Sequence, residues 1–243
     1  MFREARQNRV FQDVVSQIQE AILDGRLKPG DKLPPEREMV EMFKTSRSTL
    51  REALRILEHK GLIEIKLGVS GGAMVKSTSG EQMSESLALL LRSQAVSLDH
   101  LAEFRRGVEG LVTALAAERA TADDIRHLGE LLAEAGSYCE RPLTHRNDFI
   151  RVDEKLHMAL ARITGNPLYI LILQTVHDNI HRYYDRYLAM EEHELKENYE
   201  DLCAIVRAVQ DKLPGRARML AEDHVGRFNG YMKKGESLLG PKT

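Results

Sequence analysis

Apolar residues in the first quarter of the chain recur at helical spacing. Val10, Phe11, Val14, Val15, Ile18, Ile22 and Leu23 fall on one face of an amphipathic helix, and Gly25 stands where such a helix would end. Pro29-Gly30 breaks the next stretch into a turn, and Pro34-Pro35-Glu36 supplies the proline and acid that open a second helix through Met39, Val40 and Phe43. Ser46 is placed to cap a third helix carrying the stripe Leu50, Ala53, Leu54 and Leu57, which Gly61 closes. The period then changes. Residues 62–67 and 73–76 alternate around the loop Gly68-Val69-Ser70-Gly71-Gly72, which reads as a β-hairpin. Three helices, with a short turn between the second and third and a hairpin after them, predict a winged helix-turn-helix whose third helix enters the major groove.

Past Lys76 the pattern is helical throughout. Ser-Thr-Ser-Gly predicts a linker over residues 77–82. Leu101, Phe104, Val108, Leu111, Val112 and Leu115 then form one stripe, and Ile125, Leu128, Leu131, Leu132 and Ala135 another. Further helices are expected at about 147–164, 167–190, 195–212 and 214–236. The expected fold class is mainly α: a winged helix-turn-helix over 1–76, then an all-α antiparallel bundle over 83–243.

Charge sharpens this division. The chain of 243 residues has a net charge of -2, which excludes a polybasic nucleic-acid tail and an acidic disordered activator. Residues 1–76 are nevertheless +3 and the remainder -5, so the helix-turn-helix segment is the part suited to an anionic partner. No apolar run reaches the roughly 20 residues a membrane span needs, and the polar start lacks a signal peptide's apolar segment, so a soluble cytoplasmic protein is expected. Cys139 and Cys203 fit no metal or disulfide spacing and read as reduced, half-buried thiols.

On the third helix the apolar stripe leaves Ser48, Arg51 and Arg55 pointing away, with Arg47 on the flank. An arginine can contact guanine through two hydrogen bonds or grip phosphate, and hydroxyls near a helix N-terminus suit phosphate oxygens. Arg37 has a second reading as the surface ion-pair partner of Glu41. The run LPPEREMVEMFKTSRSTLREALRILEHKGLIE, preceded by LDGRLKPGDK, resembles the DNA-binding domain of the GntR family of bacterial transcription regulators. The resemblance implies operator contacts from Arg37, Arg47, Thr49 and Arg51, with the wing tip at Gly71 and Gly72 reaching an adjacent groove; Ser46 and Ser48 join them as hydroxyls at the N-terminus of the third helix. The GVSGG loop is longer than the family's compact wing loop.

In the bundle, Asp153 and His157 share one helical face, and Val152, Leu156 and Leu160 place that face near the core. An unpaired buried carboxylate is costly, and either a hydrogen bond to His157 or a metal ion would resolve it. His224, beside Val225 and Phe228, is a candidate to approach the same cavity, giving a donor set that suits zinc, nickel or manganese. The segment FIRVDEKLHMALARITGNP is similar to the signature of the FadR-like branch of the family, whose helical effector domain is called FCD. That resemblance implies a divalent metal held by Asp153, His157 and His224, with a carboxylate effector completing the coordination. The family's remaining histidine falls at Tyr199, which is expected at the rim of the cavity as an effector contact. Arg105 fits the arginine that faces the effector cavity, where it would clamp an organic acid; the alternative is an intrahelical pair with Glu109. His177 and His181, at i and i+4, are expected at the surface or rim.

The resulting expectation is a homodimeric regulator that binds double-stranded operator DNA, most simply as a repressor, and responds to a small organic acid. A metal-dependent hydrolase using the Asp/His site, and a constitutive DNA-binding protein whose bundle only dimerises, are the alternatives. Glu154, the nearest carboxylate to serve as a base, is turned about 100° around the helix from Asp153.

Overall fold

The computed structural model describes residues 9–66, 68, 71–76, 81–92, 96–139, 145–188 and 190–239. They divide into two compact units, one ending at Met83 and the other beginning at Ser84.

The first unit holds α1 (Arg9–Leu23), α2 (Glu36–Phe43), α3 (Arg47–His59) and a hairpin of β1 (Ile63–Lys66) and β2 (Gly72–Val75). The strands pair antiparallel, Ile63 opposite Val75 and Ile65 opposite Ala73. Lys44, in the left-handed region at φ 48, turns the chain sharply out of α2. Ser46 then caps α3, its hydroxyl accepting the Thr49 N–H at 3.1 Å. Leu50, Ala53 and Leu57 of α3 are completely enclosed by Val14, Val15, Ile18, Met39, Ile63 and Val75, so α3 is anchored from three sides. Emptying such a position, as in Leu50→Ala, costs about 2–5 kcal/mol. Of the wing loop, Gly72 is exposed and Gly71 partly so; Leu67, Val69 and Ser70 lie outside the described residues.

The second unit is built from α4 (Glu81–Arg92), α5 (Leu98–Arg119), α6 (Ala122–Cys139), α7 (Arg146–Ile163), α8 (Pro167–Tyr187), α9 (Glu192–Gln210) and α10 (Pro214–Leu239). Helix α4 takes in the last two residues of the expected linker. α5 lies along α10, and α7 touches α5, α6 and α8. The close approach of α5 to α10 uses Gly110, where an added Cβ would come within 2.6 Å of Glu222. Gly165, at φ 65, ends α7, and Asn166 caps α8 by accepting the Leu168 N–H at 3.0 Å. The core runs through Val112, Ala116, Leu128, Phe149, Leu156, Leu160, Leu173, Ile180, Leu202, Ile205 and Phe228. No helix among the described residues is long and apolar enough to cross a membrane. Cys139 and Cys203 are both half-buried.

Candidate DNA-reading face and buried polar centre

α3 presents Arg47, Ser48, Arg51 and Arg55 to solvent while its opposite face is buried. At its N-terminus the hydroxyls of Ser46, Ser48 and Thr49 form a cluster, with Ser46 Oγ 2.8 Å from each of the other two. Arg51 Nε donates to Glu36 Oε2 of α2 at 2.9 Å. Arg37 Nε lies 3.7 Å from Glu41 Oε1, the pairing that its helical spacing allows. Both pairs are well exposed, so each adds about 0–1 kcal/mol and yields readily to a phosphate or a base edge.

The second unit encloses an unusual set of polar groups. Arg105, Glu109, Asp153, His157, His177 and His224 are each no more than 2 % exposed. Helical phase explains their convergence: Arg105 and Glu109 are one turn apart on α5, Asp153 and His157 one turn apart on α7, with His177 from α8 and His224 from α10. His157 Nε2 and His224 Nε2 face each other at 3.2 Å. Asp153 completes the group, with Oδ2 3.7 Å from His157 Nε2 and Oδ1 3.4 Å from His224 Nε2. Ligand atoms of these three side chains lie within 4.8 Å of one another. Asp153 Oδ1 has no hydrogen-bond partner among the described residues, the mark of a carboxylate that awaits one.

Each imidazole is backed by a second carboxylate. Glu109 Oε2 is 2.5 Å from His157 Nδ1, and Asp201 Oδ2 of α9 is 3.6 Å from His224 Nδ1. Carboxylates there favour the proton on Nδ1 and leave the Nε2 lone pairs for the centre. Asp201 is held by Arg227, whose Nε donates to it at 2.7 Å. Arg105 Nε donates to Glu109 Oε1 at 2.6 Å, so the intrahelical pair forms, and it does so in the interior.

The charge states follow from these neighbours. Burial opposes ionisation of Glu109, but Arg105, His157 and His177 together hold it well below the usual carboxylate range. Burial likewise opposes Asp153, and His157, His224 and Arg105 outweigh it to keep the carboxyl low. His224 loses by burial and gains more from Asp153 and Asp201, which hold it up at about 9. His177 is pushed the other way, to about 3: burial dominates, and Glu109 does not compensate. Glu154 is pushed up to about 8 by burial and by the adjacent Asp153, and meets His181 Nε2 at 3.3 Å.

Two expectations need correction. His177 is not at the surface; it belongs to the stripe Leu173, Val176, His177, Ile180, Tyr184, whose spacing already places it inward, whereas His181 is exposed as expected. Tyr199 does not take up the place of a histidine at this centre. The inward stripe of α9 is Leu195, Asn198, Leu202, so Asn198 is buried, with Oδ1 lacking a partner among the described residues, and Tyr199 falls on the flank with its hydroxyl over Gly136 of α6. Asp201 was not singled out from sequence, because a carboxylate beside Glu200 on a charged helix carries no local signal.

Comparison with known proteins gives these features a context. Residues 11–71 match the description "Bacterial regulatory proteins, gntR family", and residues 100–227 match the FCD domain. The chain is 30% identical to the HTH-type transcriptional repressor NanR of Escherichia coli K12 across 87% of this chain and 80% of NanR. It is 36% identical to the HTH-type transcriptional regulator LutR of Bacillus subtilis across 60% of this chain and 64% of LutR. Among solved structures, Streptococcus agalactiae GntR has a similar fold, with TM-score 0.66 at 24% identity over 90% of this chain and 99% of that one.

Proposed function

The chain belongs to the GntR family of bacterial regulatory proteins and carries an FCD domain, so it is a ligand-responsive DNA-binding transcription regulator; from there we propose its contacts, its ion and its effector class. Family and relatives are transcription regulators rather than enzymes, and the hydrolase alternative is not carried forward. A bundle serving only to dimerise would fill its centre with apolar side chains; six buried polar residues there speak for a ligand.

At the DNA, Arg47 and Arg51 read base edges or grip phosphate, Arg37, Ser46, Ser48 and Thr49 hold the backbone, and Gly71 and Gly72 at the wing approach the neighbouring groove. Two copies bind a two-fold operator in the bacterial cytoplasm, since one winged domain has a small footprint for tight specific binding. Repression is the simplest sign of control, the relative NanR being named a repressor.

Asp153, His157 and His224 fit a divalent ion such as zinc, nickel or manganese, and the observation that carries this is the buried Asp153 carboxylate, its Oδ1 without a hydrogen bond among the described residues, set between the Nε2 atoms of His157 and His224. When bound, the ion supplies a Lewis-acidic seat for an oxygen of the effector. The protein's own part is to orient the two imidazoles through Glu109 and Asp201, to keep water out, and to hold a guanidinium nearby through Arg105. A small carboxylate is the effector class that such a centre accepts. Elemental analysis of untagged, unchelated protein tests the ion, with approximately one equivalent expected per chain and none in His157→Ala. A wild type that takes up no zinc, nickel or manganese sinks it.

A further inference from the structure

We infer that two copies of this chain meet along helix α5, where a seam of His100, Phe104, Gly107, Leu111, Ala114 and Glu118 packs antiparallel against the same seam of the second copy. This rests on the two-copy reading proposed above and gives it a face and a register.

α5 carries more apolar surface than its own bundle uses. Leu98, Leu101, Val112, Ala116 and Ala117 are buried in the core, whereas Phe104 and Leu111 stand 41% and 39% exposed, with Val108 and Leu115 only partly covered beside them. The uncovered residues fall on one line. His100, Phe104, Gly107, Leu111, Ala114 and Glu118 follow one another at intervals of four and three residues, the period with which one helix faces another over several turns. Between its two polar ends the seam holds no polar side chain.

Gly107 is a second and independent observation. Glycine inside a helix is unfavourable relative to alanine. Nothing within the protomer calls for it, because an added Cβ would meet no atom within 4 Å, in contrast to Gly110, where it would come within 2.6 Å of Glu222. A hollow on the exposed side of a long helix is accounted for when a large side chain seats in it from outside.

The order of large and small residues selects the occupant. About a two-fold axis level with Glu109, antiparallel pairing sets Leu111 on Gly107 of the second copy, Phe104 on Ala114 and His100 beside Glu118, and every contact occurs twice. A bulky side chain thus meets a small one at each step, and the ends are complementary in charge. Parallel pairing would stack Phe104 on Phe104, leave Gly107 over Gly107 and bring Glu118 against Glu118. His100 is set for its part: Nδ1 accepts from the Ser97 N–H at 3.5 Å in the capping box, which leaves Nε2 to donate. Glu118 is exposed and has no hydrogen bond or ion pair among the described residues. An unrelated partner would not require this face to complement itself, whereas a two-fold interface does.

The test uses the full chain. Gly107→Leu fills the hollow that receives Leu111 and disturbs nothing within the protomer, so sedimentation should show dimerisation weakened by roughly ten-fold or more, with far-ultraviolet circular dichroism unchanged. Glu118→Lys should weaken it as well, and His100→Glu in the same chain should restore it, the glutamate keeping the reciprocal cap with Ser97. Cross-linking reads the register. In a Cys139→Ser, Cys203→Ser background, Phe104→Cys together with Ala114→Cys should give a covalent dimer on oxidation, and either cysteine alone should not. The two positions lie roughly 15 Å apart along one helix, beyond the reach of a disulfide within the chain. Dimerisation of Gly107→Leu as tight as that of the wild type, no cross-link from the cysteine pair, or a cross-link as strong from one cysteine alone overturns the proposal. In a wild type that sediments as a dimer, such a result rejects this face and leaves the two-copy reading standing; a wild type that sediments as a monomer at every concentration rejects both.

Discussion

His157 and His224, on helices α7 and α10, bring their Nε2 atoms to 3.2 Å of each other, and each has a carboxylate at its Nδ1 side. Two imidazoles so arranged cannot both present an N–H inward. One donates to the other or to Asp153, or both offer lone pairs to a cation, and the second state uses all three side chains at once.

That arrangement predicts unequal losses. Removing a ligand in His157→Ala abolishes metal retention through gel filtration. Asp201→Asn leaves His224 in place but weakens its orientation, and metal affinity should fall by roughly 10–100-fold. A competition titration with a chelating dye reads both; unchanged affinity in the Asp201 variant contradicts the role given to that residue.

The same centre sets a pH dependence in chelator-treated protein. His224 is held up at about 9 in the folded state against 6.5 as its ordinary value, so the folded state binds the proton more tightly than the unfolded one. The associated stability is complete below about pH 6.5 and is lost as pH rises through about 9. The melting temperature of metal-free protein should therefore decline across that window, and the decline should flatten in His224→Asn. Metal uptake at pH 7 should also release a proton, measurable as a buffer-dependent binding enthalpy.

At the DNA-reading face, Arg51→Ala should cost about 1–3 kcal/mol of operator binding. Folding stability should change by less than about 1 kcal/mol, because the pair with Glu36 is exposed. Fluorescence anisotropy on a selected operator, with a denaturant melt as control, separates the two effects. Normal binding by a folded variant removes Arg51 from the interface.

Packing between α6 and α9 makes a further prediction. A Cβ at Gly136 would come within 2.7 Å of the Tyr199 hydroxyl and 3.0 Å of the ring carbon bearing it, so Gly136→Ala should destabilise the bundle by about 1–3 kcal/mol. Tyr199→Phe in the same chain should restore part of the loss. A double mutant no more stable than Gly136→Ala would contradict this contact.

The winged helix-turn-helix was legible in the sequence nearly element by element, because its signals are local. Ser46 caps the helix it precedes, the stripe Leu50, Ala53, Leu54, Leu57 declares its own buried face, and the hairpin announces itself by a change of period. Asp153 and His157 were legible for the same reason, one turn apart among apolar neighbours. Tertiary structure decided what no single helix contains. His177 and His181 share a spacing and a residue type, yet packing against α5 and α7 encloses the first and leaves the second exposed. Asn198 and Tyr199 are neighbours in sequence, and the 100° between them on α9 sends one into the interior and the other over α6. Asp201 gained its place behind His224 only when α9 met α10. Periodicity tells a helix which face to bury; which residues from other helices meet that face depends on how the helices pack, and that is written in no one segment.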